Sequence, residues 1–352
     1  MSAKDRPEHE YRSTQCVRGM GLVELLVWVA ISLIVTTVIG TVYVNSKQVT
    51  QVNDTISRLQ ENGRFVIHLL DRDLRMAGFR GCNGASVTPV SVLNTTAFQY
   101  KYSEGIEGFY GNAGAWQPSL DSSISGLTPA PSANTDVVTI RHIDGPGVPL
   151  TARMISQTDD ITVAAGSTLS SGDILLIADC TSAAIFKASG YNGGTGVISH
   201  ATGGSPGNTT ADLGNSFGTD ASVYRLVTRT YFVGPSVKRA GTKSLWAYSV
   251  PAYDGQAQPE EMVEGIENFS LLFGEDLDSD HAANRYTSAS GVTTWGNVVS
   301  VKAQVLLATV RDNVATSPQP YSFPPTAAAI TPTDKKMRTS LSSVIAVRNR
   351  VP

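Results

Sequence analysis

Two periodicities divide the chain. Residues 22 to 44 are apolar almost without interruption, and as a helix they extend roughly 34 Å, enough to cross a hydrocarbon core of about 30 Å. One acid, Glu24, stands near the start of this run. A carboxylate inside such a span is costly unless something neutralises it, so Glu24 marks a function and calls for a cationic partner. Beyond the span, Val49, Val52, Ile56, Leu59, Gly63, Val66, Leu70, Leu74 and Ala77 recur at steps of three and four, which is one stripe of a helix. Gln51, Asp54, Arg58, Glu61, Arg64, His68, Asp71, Arg72 and Arg75 occupy the other face. No proline falls between Pro7 and Pro89, and glycines 78, 81 and 84 supply a stop. The pattern predicts one helix over 22–78, roughly 85 Å long. Gly63 on the stripe, with Phe65 and Ile67 off it, favours packing against a sheet over a coiled-coil seam.

From Phe79 onward the period changes. Strands are predicted at 136–143, 160–165, 173–179, 183–188, 223–233, 244–250, 270–273, 298–309 and 342–347. Val223, Arg225, Val227, Arg229 and Tyr231 alternate, as do Val299, Val301, Ala303, Val305 and Leu307, the pattern of sheets with one solvated face. Segments 104–135 and 190–220, rich in Gly, Ser, Thr and Asn, read as long surface loops without a phosphate-binding glycine pattern. The class is α+β: a long N-terminal helix packed on a β-rich, mainly antiparallel head.

Composition narrows the function. The 352 residues carry a formal net charge of -3 and 16% charged residues, without the clustered basic face that nucleic acid needs. The 5 histidines are scattered and no CxxC occurs, which argues against zinc. No nucleophile elbow or HExxH motif points to catalysis, so the chain reads as a non-enzyme. Lys4, Arg6, Arg12 and Arg18 precede the span and the lone Lys47 follows it. That asymmetry places the N-terminus in the cytoplasm and exports the rest through one crossing. The apolar stretch is too long for a secretory signal, and a helical pattern continues where a signal would have its cleavage site.

The string Gly19-Met20-Gly21-Leu22-Val23-Glu24 resembles the class III signal of type IV prepilins and pseudopilins. The resemblance implies a prepilin peptidase that cuts between Gly19 and Met20, methylation of Met20, and docking of Glu24 on a neighbouring subunit's terminal amine. Met20 and Gly21 stand where that family prefers phenylalanine, then threonine or serine. The resulting organisation is a leader over 1–19, a membrane and fibre-core helix over 20–44, its amphipathic half over 45–78, and an exported head over 79–352. Residues 262–274 (MVEGIENFSLLFG), the close at 342–350 (SSVIAVRNR), and Arg75-Met76-Ala77-Gly78-Phe79 with Cys82 resemble the PilW group of minor pilins. Segment 84–220 carries no such likeness. The resemblance implies a structural subunit that helps to initiate a type IV pilus and caps or joins it, serving twitching motility and adhesion. Its partners would be other minor and major pilins, the inner-membrane assembly platform and a tip adhesin. It would sit in the inner membrane before assembly and outside the cell in the pilus afterwards. A minor pseudopilin of a type II secretion system and an adhesive tip-binding module are the alternatives.

With Cys16 lost in the leader, Cys82 and Cys180 are the two cysteines of the mature chain, and an exported domain favours their bridging over two buried free thiols. Asp276, Asp278 and Asp280 alternate in an acidic loop, the spacing of oxygen ligands for Ca2+. An EF-hand-type loop starting at Asp276 would have glycine at His281 and glutamate at Thr287, and neither is present. A solvated acidic turn is the better reading there.

Overall fold

The structure, a computed structural model, describes residues 21–82, 87–251 and 258–350. Gly19 and Met20 lie outside the described residues. The chain divides into two compact units, Met1–Asp54 and Thr55–Pro352. Helix α1 (Leu22–Arg75) contributes to both.

In the first unit, residues 21–51 are solvent-exposed. The helix is long and apolar enough to cross a membrane, with a mean hydropathy of 2.5 over its most apolar window.

In the second unit, α1 buries Leu59, Gly63, Val66, Leu69, Leu70, Asp73 and Leu74, the stripe expected from the sequence with one acid added to it. The helix ends three residues before the expected 78. Met76 and Ala77 turn their amides to Asp73 and Leu74, closing tight i+3 turns. Gly78 follows with a φ of +71°, a conformation open to glycine.

The described strands run, in chain order, β1 (Val90–Ser91), β2 (Ile106–Asn112), β3 (Ala115–Gln117), β4 (Val137–Pro149), β5 (Ile161–Thr162) and β6 (Ile174–Ala178). Next come β7 (Ala183–Lys187), β8 (Gly190–Asn192), β9 (Val197–Ser199), β10 (Gly203–Gly204), β11 (Gly207–Asn208) and β12 (Ser222–Pro235). The last are β13 (Lys243–Pro251), β14 (Glu260–Glu264), β15 (Ile266–Glu275), β16 (Arg285–Thr287), β17 (Val298–Ala308) and β18 (Arg338–Ala346). A nine-stranded sheet has the order β1-β7-β6-β12-β4-β2-β3, with β13 on β12 and β14 on β13. A second, four-stranded sheet has the order β16-β15-β17-β18. Only β1 and β7 pair in parallel among the described strands.

One core joins the helix to both sheets. Val66, Leu70 and Leu74 from α1 pack with Ile140, Tyr231 and Leu245 from the large sheet and with Phe269, Val301, Val305 and Ile345 from the small one. Gly63 makes this approach feasible, since a Cβ there would run into the Leu341 side chain and crowd Leu307. Asp136 ties the sheets together. Its amide donates to Phe269 O (3.0 Å), and its carboxylate accepts from the Gly111 amide (3.0 Å) and the Leu271 amide (2.7 Å).

Two expectations need correction. Segments 104–135 and 190–220 are not plain loops. They contain β2, β3, a short helix α2 (Ser122–Ser125) and β8 to β11, with Ile106, Phe109, Ile124 and Ile198 buried. Their glycines hide the alternation on which strand prediction depends. The expected solvated face is also missing from β17, which is buried along nearly its whole length. Its odd-numbered residues face the helix. On the opposite face, Leu306 and Ala308 line a cavity of about 250 Å³ with Tyr321, Phe323 and Ile330 from the β17–β18 connection.

Candidate functional site

Asp73 lies on the buried stripe of α1, four residues before Ala77 and three after Leu70, so the helix directs its carboxylate into the head. There Oδ2 accepts from Tyr231 Oη at 2.5 Å and Arg229 Nη1 at 2.7 Å, while Oδ1 accepts from Arg72 Nε at 2.9 Å. Tyr231 and Arg229 sit two apart on β12 and so share a face of the strand. Burial pushes the Asp73 carboxyl up, but the bonds from Tyr231, Arg229 and Arg72 outweigh it and hold the group below the ordinary aspartate value. Burial and the neighbouring carboxylate raise the Tyr231 phenol, so it stays a donor. This anchor was not singled out in the sequence, although Asp73 falls at stripe spacing and Arg229 shares its strand face with buried Val227 and Tyr231.

Glu24 occupies the first turn of α1 and is exposed. That position, next to the positive end of the helix dipole, suits a carboxylate, and its exposure leaves it accessible to a partner. The described residues place no cation on Glu24.

Cys82 and Cys180 form a disulfide, with Cα atoms 5.0 Å apart. It fastens the turn after α1 to the β6–β7 hairpin, the pairing expected from cysteine arithmetic. Two buried arginines reinforce this region. Arg80 donates to the carbonyls of Val87 (3.2 Å), Tyr102 (2.8 Å) and Ser103 (2.9 Å). Arg141 pairs with Glu107 (2.9 Å), donates to Phe98 O (3.0 Å) and Glu104 O (3.2 Å), and stacks 4.7 Å from the Phe98 ring centroid. The connection from α1 to β2 is therefore held by Arg80 near its start and by Arg141 reaching across from β4.

In the acidic loop, Asp276, Asp278 and Asp280 each present an oxygen within 4.8 Å of the others. The sequence spacing therefore does bring them together. Asp276 is already engaged by the backbone: Oδ1 accepts from the amides of Ser279 (2.6 Å) and Asp278 (3.2 Å), and Oδ2 from that of His281 (2.9 Å). Burial pushes its carboxyl up, and these amides, led by that of His281, hold it below its usual range. Asp278 accepts from Asn284 Nδ2 at 3.1 Å and Asp280 from the backbone amide of Ala282 at 2.8 Å. Ser279 and His281 take φ values of 64° and 65° to let the chain wrap its own carboxylate. The turn's own amides thus engage both oxygens of Asp276 and one each of Asp278 and Asp280.

Comparison with curated proteins and with solved structures finds no match. Residues 230–349 match the family model PilW, described as type IV pilus-assembly protein W. The matched third of the chain begins at Thr230, beside the Arg229 and Tyr231 anchor, and takes in the whole four-stranded sheet. It includes 262–274 and all but the last residue of 342–350, the late segments whose resemblance the sequence suggested; the Arg75–Phe79 segment lies outside it. With the apolar helix of the first unit and the β-rich head of the second, this match supports a PilW-type type IV pilus protein.

Proposed function

We propose that the chain is a minor pilin, a structural rather than catalytic subunit that helps to initiate a type IV pilus and caps or joins it, in support of motility and adhesion. The observation that carries this reading is the pairing of a PilW-type head with one apolar helix bearing an acid in its first turn. In lipid or in a fibre core, that acid favours a neighbouring subunit whose cationic terminus would neutralise it. The mechanism is mechanical. Apolar helices bundle, Glu24 sets the axial register by meeting the amine of Met20, its own or a neighbour's, and the head covers the bundle. The partners would be the prepilin peptidase, the inner-membrane assembly platform, other minor and major pilins, and a tip adhesin. The N-terminus would remain cytoplasmic before assembly, and the protein would be extracellular in the fibre.

The test is the mass of the N-terminal peptide from protein in sheared pili. A terminus at N-methylated Met20, with slowed cutting in Gly19→Ala, is expected. Assembled protein that retains Met1 would overturn the proposal.

A further inference from the structure

Strand β18 (Arg338–Ala346) forms an edge of the four-stranded sheet and, among the described strands, pairs with β17 alone. The pairing runs from Ser300↔Ala346 to Ala308↔Arg338 with no shift of register. Just beyond its two ends, the Val347 amide donates to Val299 O and the Thr309 amide to Met337 O, each at 2.9 Å. Hydrogen-bonded pairs alternate along an antiparallel ladder, so the odd-numbered residues of β18 bond to β17. The amides and carbonyls of Ser340, Ser342, Val344 and Ala346 point away from the sheet. Among the described residues, nothing accepts from those four amides.

Sheet edges of this kind invite pairing, and proteins suppress it with short strands, charges, prolines or bulges. The other edges of the two sheets follow that rule. β1 has 2 residues, and β3 and β16 have 3 each. β14 has 5, three of them Glu260, Glu261 and Glu264. β18 has 9 residues, and after Arg338 its sequence TSLSSVIA contains no charge and no proline. Its outer side chains, Ser340, Ser342, Val344 and Ala346, are exposed, and all are small or β-branched. On the helix side, Leu341 packs against the core beside Gly63 yet remains half-buried, as expected of a residue with one flank uncovered.

We propose that β18 is a strand-addition site that takes an extended, uncharged segment of a different pilus subunit. This rests on the pilus reading above for the identity of the partner. The incoming strand gains backbone hydrogen bonds along Ser340 to Ala346, with an apolar residue at alternate positions to cover Leu341 on the helix side and small or polar residues on the other face. Its lack of charge follows from the strand itself, which carries no charged residue between Arg338 and Ala346.

The test places a photo-crosslinking benzoyl-phenylalanine at Ser340, Ser342 or Val344 of the full chain in piliated cells, with exposed Ile155 as the control position, and maps the products by mass spectrometry. The expected result is one stretch of one other pilus subunit, with the attachment point moving by two residues for each two-residue step along β18. Val344→Pro deletes an outward amide and leaves the β17 ladder whole. It should cut the Ser342 product at least tenfold, with a melting temperature in detergent close to that of the unsubstituted chain. Ser343→Pro removes an amide that β17 uses and should lower the melt. Products scattered as widely as those from Ile155, or a Val344→Pro yield equal to wild type, would overturn strand addition. So would a ladder onto a second copy of this chain, which would make the occupant wrong. A chain that enters fibres with methylated Met20 but gives no ladder removes strand addition alone. A stepwise ladder onto a protein outside the pilus keeps the edge site and removes the pilus reading of its partner.

Discussion

Replacing Asp73 with asparagine removes one charge from the anchor between helix and sheet while leaving its shape nearly unchanged. The aspartate side chain is 5% exposed and that of Arg229 is 28% exposed. An amide keeps one acceptor oxygen but turns an NH2 toward groups that are themselves donors, so at least one of Tyr231, Arg229 and Arg72 loses its acceptor. Removing one partner of a buried ion pair costs about 3 to 5 kcal/mol, and the partial hydration left to Arg229 argues for about 3. The unit Thr55–Pro352 holds about 300 residues. At an unfolding entropy of about 2.1 cal/mol/K per residue, this loss lowers its melting temperature by roughly 5 °C. Calorimetry of the full chain in detergent micelles at neutral pH measures the drop. The acid limb adds a second check. Asp73 is held below its ordinary value, so its contribution is present at neutral pH and lost as pH falls through that depressed value. The gap between wild type and Asp73→Asn should therefore close in acid. Melting that coincides at neutral pH, or a gap that persists unchanged in strong acid, would refute the anchor.

Three further outcomes are expected. Burial pushes the Asp136 carboxyl up to about 6 against the pull of its two amide donors. The raised value means that the folded head binds a proton first and gains on the order of 3 kcal/mol as pH falls from 7 toward 4; Asp136→Asn should abolish that limb, and a wild-type melt flat over this window would count against it. Substitution of Cys82 or Cys180 by serine should cost about 2 to 5 kcal/mol of head stability, and labelling of both thiols in unreduced exported protein would contradict the bond. Because the backbone already engages both Asp276 oxygens, melting should be the same in chelator and in millimolar calcium; a calcium-dependent rise that Asp276→Ala or Asp280→Ala removes would make the loop a metal site.

Much of this architecture was legible in the pattern of the chain. The stripe from Ile56 to Ala77 marked the buried side of α1, because a helix packed on a sheet must repeat its apolar positions at 3.6 residues. The strands with branched residues, β6, β12 and β17, were equally plain. What stayed hidden had specific causes. Glycines 108 and 111 interrupt the alternation of β2, so a strand with buried Ile106 and Phe109 read as loop. In β18, serines at 340, 342 and 343 masked its start, and the strand begins at Arg338 instead of 342. Asp73 was passed over because an acid on an apolar stripe reveals its role only when β12 brings Arg229 and Tyr231 opposite it. The acidic loop showed its three carboxylates by spacing alone, but not that the turn's own amides would claim Asp276. Candidate assembly residues divide in the same way: Glu24 stands out against an apolar background, whereas an open strand edge is a property of topology that no single residue announces.

The central claim is that Glu24 is the docking charge that brings this subunit into a fibre. Glu24→Gln keeps the side chain's shape and removes the charge, and immunoblots of sheared pili and of membranes from the same cells separate insertion from assembly. The account predicts a variant that inserts and is cut after Gly19 like the wild type but is depleted from pili, with surface fibres falling sharply. A variant recovered in pili as fully as the wild type would contradict it.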